Sequence, residues 1–218
     1  GWKKQATINV ESGRREHGML PSSIANAQDY PDFTRGAIVH QQNYDESLLL
    51  GPLAAATDRE QYTLEFAMHW DKKLPTTTWN YGYMAFGRRH DGPLGIAGKF
   101  RGASEDGCYV LALRPGAKVR DEHGKYRTGD LAQLIRLDGG PGVSREGKVL
   151  HTMNLKKPIK PNESIEGKIV VKGKYFYFVI NGQYSAQIHD SAYRGPYVHF
   201  GRYHGNATGG PLVLTRAL

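Results

Sequence analysis

A chain of 218 residues with 39% hydrophobic and 23% charged residues, 27 Gly and 11 Pro is globular and rich in turns rather than disordered, and is long enough to bury a sizeable core. Its formal charge of +8, with nine further histidines, suits an anionic partner, yet no helix-turn-helix spacing, zinc-finger cysteine set or aromatic RNA-binding signature points to nucleic acid. The one cysteine, Cys108, rules out a disulfide within these residues and a cysteine-based metal site, and no apolar run approaches the roughly 20 residues that a membrane-spanning helix needs.

In chain order, the first clear element is a strand over residues 62–70, where Tyr62, Leu64, Phe66, Met68 and Trp70 alternate with Thr63, Glu65, Ala67 and His69. One face belongs to a core; the other is free to meet solvent or ligand. A second β-rich run covers 79–88 and closes at the turn His90-Asp91-Gly92-Pro93. A third covers 107–113 and stops at Arg114-Pro115-Gly116, with Cys108 read as a small buried hydrophobe. Short helical turns are expected at 25–30 and 130–136, and long connections at 14–30 and 114–129, either as lids or as extra strands. Strands follow over 164–171 and 174–180, joined through Asn181-Gly182, the strongest hairpin signal in the chain, to a returning strand over 184–189. The last pair covers 197–203 and 211–215. Many short strands at regular spacing, with no linker, repeat or low-complexity segment, predict one sandwich or barrel domain over residues 1–218.

The closing arrangement, a strand, Asn181-Gly182, a returning strand and then Tyr197-Val198-His199-Phe200-Gly201-Arg202, resembles the end of the concanavalin A-like lectin and glucanase superfamily. The resemblance runs loosely from Tyr62 to Leu218 and implies an all-β, two-sheet antiparallel jelly-roll sandwich that handles carbohydrate. Glucanases of that superfamily carry a Glu-x-Asp-x-x-Glu strand, because retaining hydrolysis needs two carboxylates about 5 to 5.5 Å apart. This chain offers only Glu65 and Asp71, six residues apart, so Glu65 is read as a solvated or ion-paired strand residue. The segment Ala97-Gly98-Lys99-Phe100-Arg101-Gly102 resembles the Gly-Lys-Leu-x-Gly stretch of polysaccharide lyase family fourteen, which implies a functional Lys99; that family's Ser-x-Arg and paired-tyrosine elements have no counterpart. Gln187-Ile188-His189 is similar to the Gln-Ile-His element of family seven alginate lyases, but the matching Arg-x-Glu-Leu-Arg strand is missing and the triplet closes a hairpin, so His189 is read as structural.

Alternation over 197–203 puts Val198 and Phe200 on one face and Tyr197, His199 and Tyr203 on the other. Arg88, Arg89 and His90 follow a strand carrying Tyr81 and Tyr83, with Lys99 and Arg101 in the Gly-rich stretch beyond. Brought into one cleft with His199, these would give an electropositive floor. In the reading placed first, a lyase for a uronate-containing polysaccharide, Arg88 and Lys99 neutralise the carboxylate while His199 or Tyr203 moves protons. In the second, a binding domain without chemistry, Trp79, Tyr81 and Tyr83 are stacking platforms, and His90, Arg101 and Tyr197 add contacts. The third is a structural or interaction sandwich, such as a coat or adhesion domain, whose polar faces contact protein. An anionic polysaccharide as partner goes with a secreted or periplasmic location; neither nucleic acid nor membrane is expected. No cofactor is expected, and the histidines, His17, His40, His69, His90, His199 and His204 among them, show no spacing diagnostic of a metal.

Overall fold

The computed structural model describes residues 37–39, 47–52, 61–76, 81–89, 107–138, 147–203 and 212–217, and every helix or strand among them is a β-strand. In chain order these are β1 (Ala37–Val39), β2 (Ser47–Pro52), β3 (Gln61–Trp70), β4 (Tyr81–Gly87), β5 (Cys108–Arg120) and β6 (Tyr126–Leu137). Then come β7 (Lys148–Asn154), β8 (Ile165–Lys172), β9 (Tyr175–Ile180), β10 (Gln183–Tyr184), β11 (Gly195–Tyr203) and β12 (Leu212–Ala217). They form two six-stranded antiparallel sheets, the first in the order β1, β12, β3, β8, β9, β10 and the second β2, β11, β4, β5, β6, β7. Of the sandwich or barrel that the strand spacing predicts this is the sandwich, and it is the two-sheet jelly roll that the resemblance implies.

The alternation of β3 positions the core. Leu64, Phe66, Met68 and Trp70 are fully buried and pack toward Met84, Phe86, Leu111 and Phe200 of the second sheet. Each such side chain contributes about 1.5–3 kcal/mol relative to an exposed one. The opposite face of β3 is more open, and there Glu65 pairs with Lys168 of β8 at 3.4 Å, both ends well exposed. Cys108 is buried, as a small hydrophobe at the start of β5.

The segment 114–129 takes the extra-strand alternative: β5 continues past the stop expected at Pro115-Gly116 to Arg120 and pairs with β6 to its tip. Two other local expectations need correction. The helical turn expected at 130–136 is the middle of β6. The returning strand expected over 184–189 is only Gln183–Tyr184, followed by a single bridge between Ile188 and Phe176. The expected features at 14–30 and 90–93 lie outside the described residues.

Candidate functional site

Alternation sends Tyr81, Tyr83 and Ala85 of β4, Val110 and Arg114 of β5, Gln133 of β6 and His199 of β11 to the outer face of the second sheet, away from the core between the sheets. That face is nevertheless buried, and it is where most of the described candidates fall.

At one end Arg88, Tyr197 and His199 come together. Gly87, at φ 82°, breaks the alternation of β4; a Cβ there would lie 2.7 Å from the Tyr193 carbonyl oxygen, so glycine is required on both counts. The turn of the backbone brings Arg88 into a bridge with Tyr197, whose amide donates to the Arg88 carbonyl at 3.0 Å. Arg88 Nη1 then lies 3.4 Å from His199 Nε2, with both side chains fully buried. Burial drives the His199 imidazole well below its ordinary value, and the neighbouring Arg88 charge pushes the same way. The ring is therefore neutral, Nε2 accepts from Arg88, and the proton resides on Nδ1. Among the described residues nothing hydrogen-bonds to that Nδ1. Tyr197, half-buried, is the most open of the three.

Further along the same face the Tyr81 and Tyr83 rings meet edge to face at 6.1 Å, and the Arg114 guanidinium lies 4.7 Å from the Tyr81 ring centre. Arg114 donates to Gln133 Oε1 at 3.1 Å, and the Gln133 amide donates to Thr152 Oγ1 at 3.0 Å. Tyr81 and Tyr83 are both buried. Tyr203 pairs with Tyr81 in the ladder. Tyr203 lies four positions along the strand from His199, about 13 Å between α-carbons, and its part in any chemistry stays an expectation. Trp79, His90, Lys99 and Arg101 lie outside the described residues, so their grouping with this face stays an expectation. His69 and His199 stand on the outer faces of opposite sheets and cannot share a metal. Among the described residues no three His, Cys, Asp or Glu side chains are placed to hold one.

Sequence reasoning missed a second polar assembly near the β9 end of the sandwich. Asp190 accepts from the Tyr109 hydroxyl and from Arg136 at 2.9 Å; Arg136 also donates to Asp138 at 2.8 Å, and Asp138 accepts from the Tyr193 hydroxyl. Burial and then the Asp190 contact push the Tyr109 phenol up to about 12, so it stays a donor. The long-range partners are 54 to 81 positions apart, and no local pattern announces them.

No protein-family model matches the chain, and no curated protein does. Solved structures similar to it include the carbohydrate-binding module CBM66 from Bacillus subtilis, 12% identical over 80% of this chain and 95% of that one, with a TM-score of 0.47. Sheep galectin-11 in complex with glycerol is 11% identical over 81% of this chain and 97% of that one, with a TM-score of 0.45. The alginate lyase A1-II', of polysaccharide lyase family 7, is 15% identical over 72% of this chain, with a TM-score of 0.43; this chain spans 60% of its length. These likenesses concern the fold and not the site.

Proposed function

We propose that this chain is a carbohydrate-active jelly roll for an acidic, uronate-containing polysaccharide, and that it cleaves by β-elimination at Arg88, His199 and Tyr197. The observation that carries the reading is the Arg88–His199 pair, a neutral imidazole held 3.4 Å from a guanidinium with its other nitrogen unpartnered among the described residues. A buried polar nitrogen left unpaired is costly, and such groups call for an explanation. Elimination beside a uronate needs a cation on the carboxylate, a base for the C5 proton and an acid for the leaving oxygen. Arg88 is suited to the carboxylate. As Arg88 turns to the carboxylate it releases His199 Nε2, which takes the C5 proton as the C4–O4 bond breaks and the C4–C5 double bond forms, and the Tyr197 hydroxyl protonates O4. Solvent then returns the proton from the imidazolium to the phenolate.

Binding also prepares the base. Burial is the larger cause that holds His199 down and the Arg88 charge the smaller; a carboxylate against Arg88 offsets the second and moves the imidazole upward, toward the range where it accepts a proton effectively. Because Arg88 and His199 are fully buried, the ligand must open that enclosure, and half-buried Tyr197 marks the side of entry.

The test is the ultraviolet absorbance of the conjugated unsaturated uronate during incubation with alginate, pectate, glucuronan, ulvan and glycosaminoglycans. The expected result is a rise with one substrate that falls by roughly 10²-fold or more in His199→Ala, the usual contribution of a general base. A flat trace across the panel removes the lyase reading for these substrates. The same burial favours a second reading, binding without cleavage, in which Arg88 and His199 are structural and the protein is still retarded in gels carrying an acidic polysaccharide.

A further inference from the structure

The outer face of the first sheet carries a separate feature. Tyr175 and Tyr177 alternate outward on β9, opposite the inward Phe176 and Phe178. Tyr184, on the edge strand β10, is 68% exposed and lies nearly parallel to Tyr177, ring centres 6.1 Å apart at 28°. His189, also exposed, stands 5.8 Å from the Tyr175 ring. Four rings thus follow the sheet edge, with Tyr175 and Tyr177 about 7 Å apart along the strand. Nothing in the core accounts for them: an exposed stacked tyrosine pair gives up little apolar area on folding and leaves flat ring surface in water.

Cations flank the rings. Lys172 is directly opposite Tyr175 in the ladder, and Lys174 stands at the adjoining turn; both are exposed, and neither forms an ion pair with a described residue. At one end of the row a depression of about 440 Å³ is lined by Lys174, His189 and the Arg136–Asp190 ion pair, and at the other a depression of about 380 Å³ is lined by Tyr184, Lys156 and Lys157, the last paired with Glu163 at 3.0 Å. The row is a track of aromatic surface with a lysine at each end, Lys174 and Lys156, that forms no ion pair with a described residue. Glu65 and Glu166 share this face, so its positive charge is diluted, and it fits a chain less densely charged than a polynucleotide.

We infer that this strip is a binding site for a linear anionic polysaccharide, with Tyr177 and Tyr184 stacking on sugar rings and Lys172 and Lys174 meeting the acid groups. The site lies on the sheet opposite His199 and goes beyond the proposed chemistry, sharing with it only the class of ligand. The full-length chain is run in native gels carrying alginate or pectate, and in gels carrying a neutral galactomannan, with melting temperature recorded for every variant. Retardation is expected in the acidic gels alone. Tyr184→Ser, at a side chain 68% exposed on the edge strand, and the double variant Lys172→Glu/Lys174→Glu should each weaken it by about tenfold without lowering the melting temperature appreciably. Cleavage is followed separately by ultraviolet absorbance, so failure of the proposed chemistry and failure of strip binding read out apart. Equal retardation of the strip variants and the parent overturns the inference, as does no retardation by any acidic polysaccharide or equal retardation by the neutral one. Tighter retention by single-stranded polynucleotide, lost in the same variants, also overturns it.

Discussion

Asp190 and His199 have folded-state ionisation displaced downward, with different consequences for stability. Burial alone would raise the Asp190 carboxyl, but contacts from Tyr109, the Ala192 amide and Arg136 outweigh it and hold the group below the usual carboxylate range. Asp138 is lowered first by Tyr193 and then, against burial, by Arg136. For such carboxylates the stabilisation is complete above the unfolded value near 4 and is lost as pH falls through the lower folded values. His199 stays neutral in the fold, whereas the unfolded imidazole takes a proton near pH 6.5, so the unfolded state binds more protons and stability declines as pH drops below that point. A plot of melting temperature against pH should therefore show two declines, one beginning near pH 6.5 and one below about pH 4. His199→Gln should flatten the first, and Asp190→Asn should soften the second while lowering stability at neutral pH. An upper decline unchanged in His199→Gln would assign all of it to other histidines, such as His151, whose imidazole burial also lowers.

Turns and strands divide into those the sequence announces and those it conceals. The β9–β10 hairpin is announced by Asn181-Gly182: both residues adopt positive φ, 47° and 78°, and Asn181 Oδ1 accepts the Glu166 amide at 2.9 Å. A methyl at Gly182 would meet no atom within 4 Å, so Gly182→Ala should cost only backbone strain, about 1–2 kcal/mol, read as a drop of several degrees in melting temperature. Gly167 is the contrasting case, because a Cβ there would lie 2.0 Å from the tip of the fully buried Phe66 ring. Gly167→Ala should cost more than Gly182→Ala, by the overpacking penalty of about 1–3 kcal/mol or above. Equal losses in the two variants would mean that the Phe66 ring has room to move. β3 and β8 are legible because one face is buried and the other more open. β6 is not, since Leu131, Ala132, Leu134 and Ile135 are all buried, on both faces of the strand, and a strand enclosed on both sides loses its period-two pattern. Pro115-Gly116 reads as a stop for a similar reason: it is a bulge, where the register slips between Arg114 and Ala117 and the Gly116 amide donates to Asp130 at 2.8 Å. Of the candidate site, the shared face of Tyr197 and His199 is legible from alternation. The approach of Arg88 is not, because it depends on a break at Gly87 and on a partner 111 positions away.

Across the molecule, a net charge of +8 acts on polyanions over distances longer than any one contact. If the β9–β10 strip recruits its ligand through Lys172 and Lys174, that attraction operates through water and is open to screening. The Debye length falls from about 10 Å at 0.1 M salt to about 3 Å at 1 M, so retardation by alginate or pectate should drop steeply over that range. The fold itself should tolerate the same change, because its stability rests on the apolar layer between the sheets and on sheltered pairs such as Arg136 with Asp190 at 2.9 Å. Melting temperature measured beside retardation therefore separates the two effects. Retardation that survives 1 M salt would place the binding energy in the tyrosine rings, and retardation lost together with the melting transition would mean that salt acts on the fold rather than on the contact.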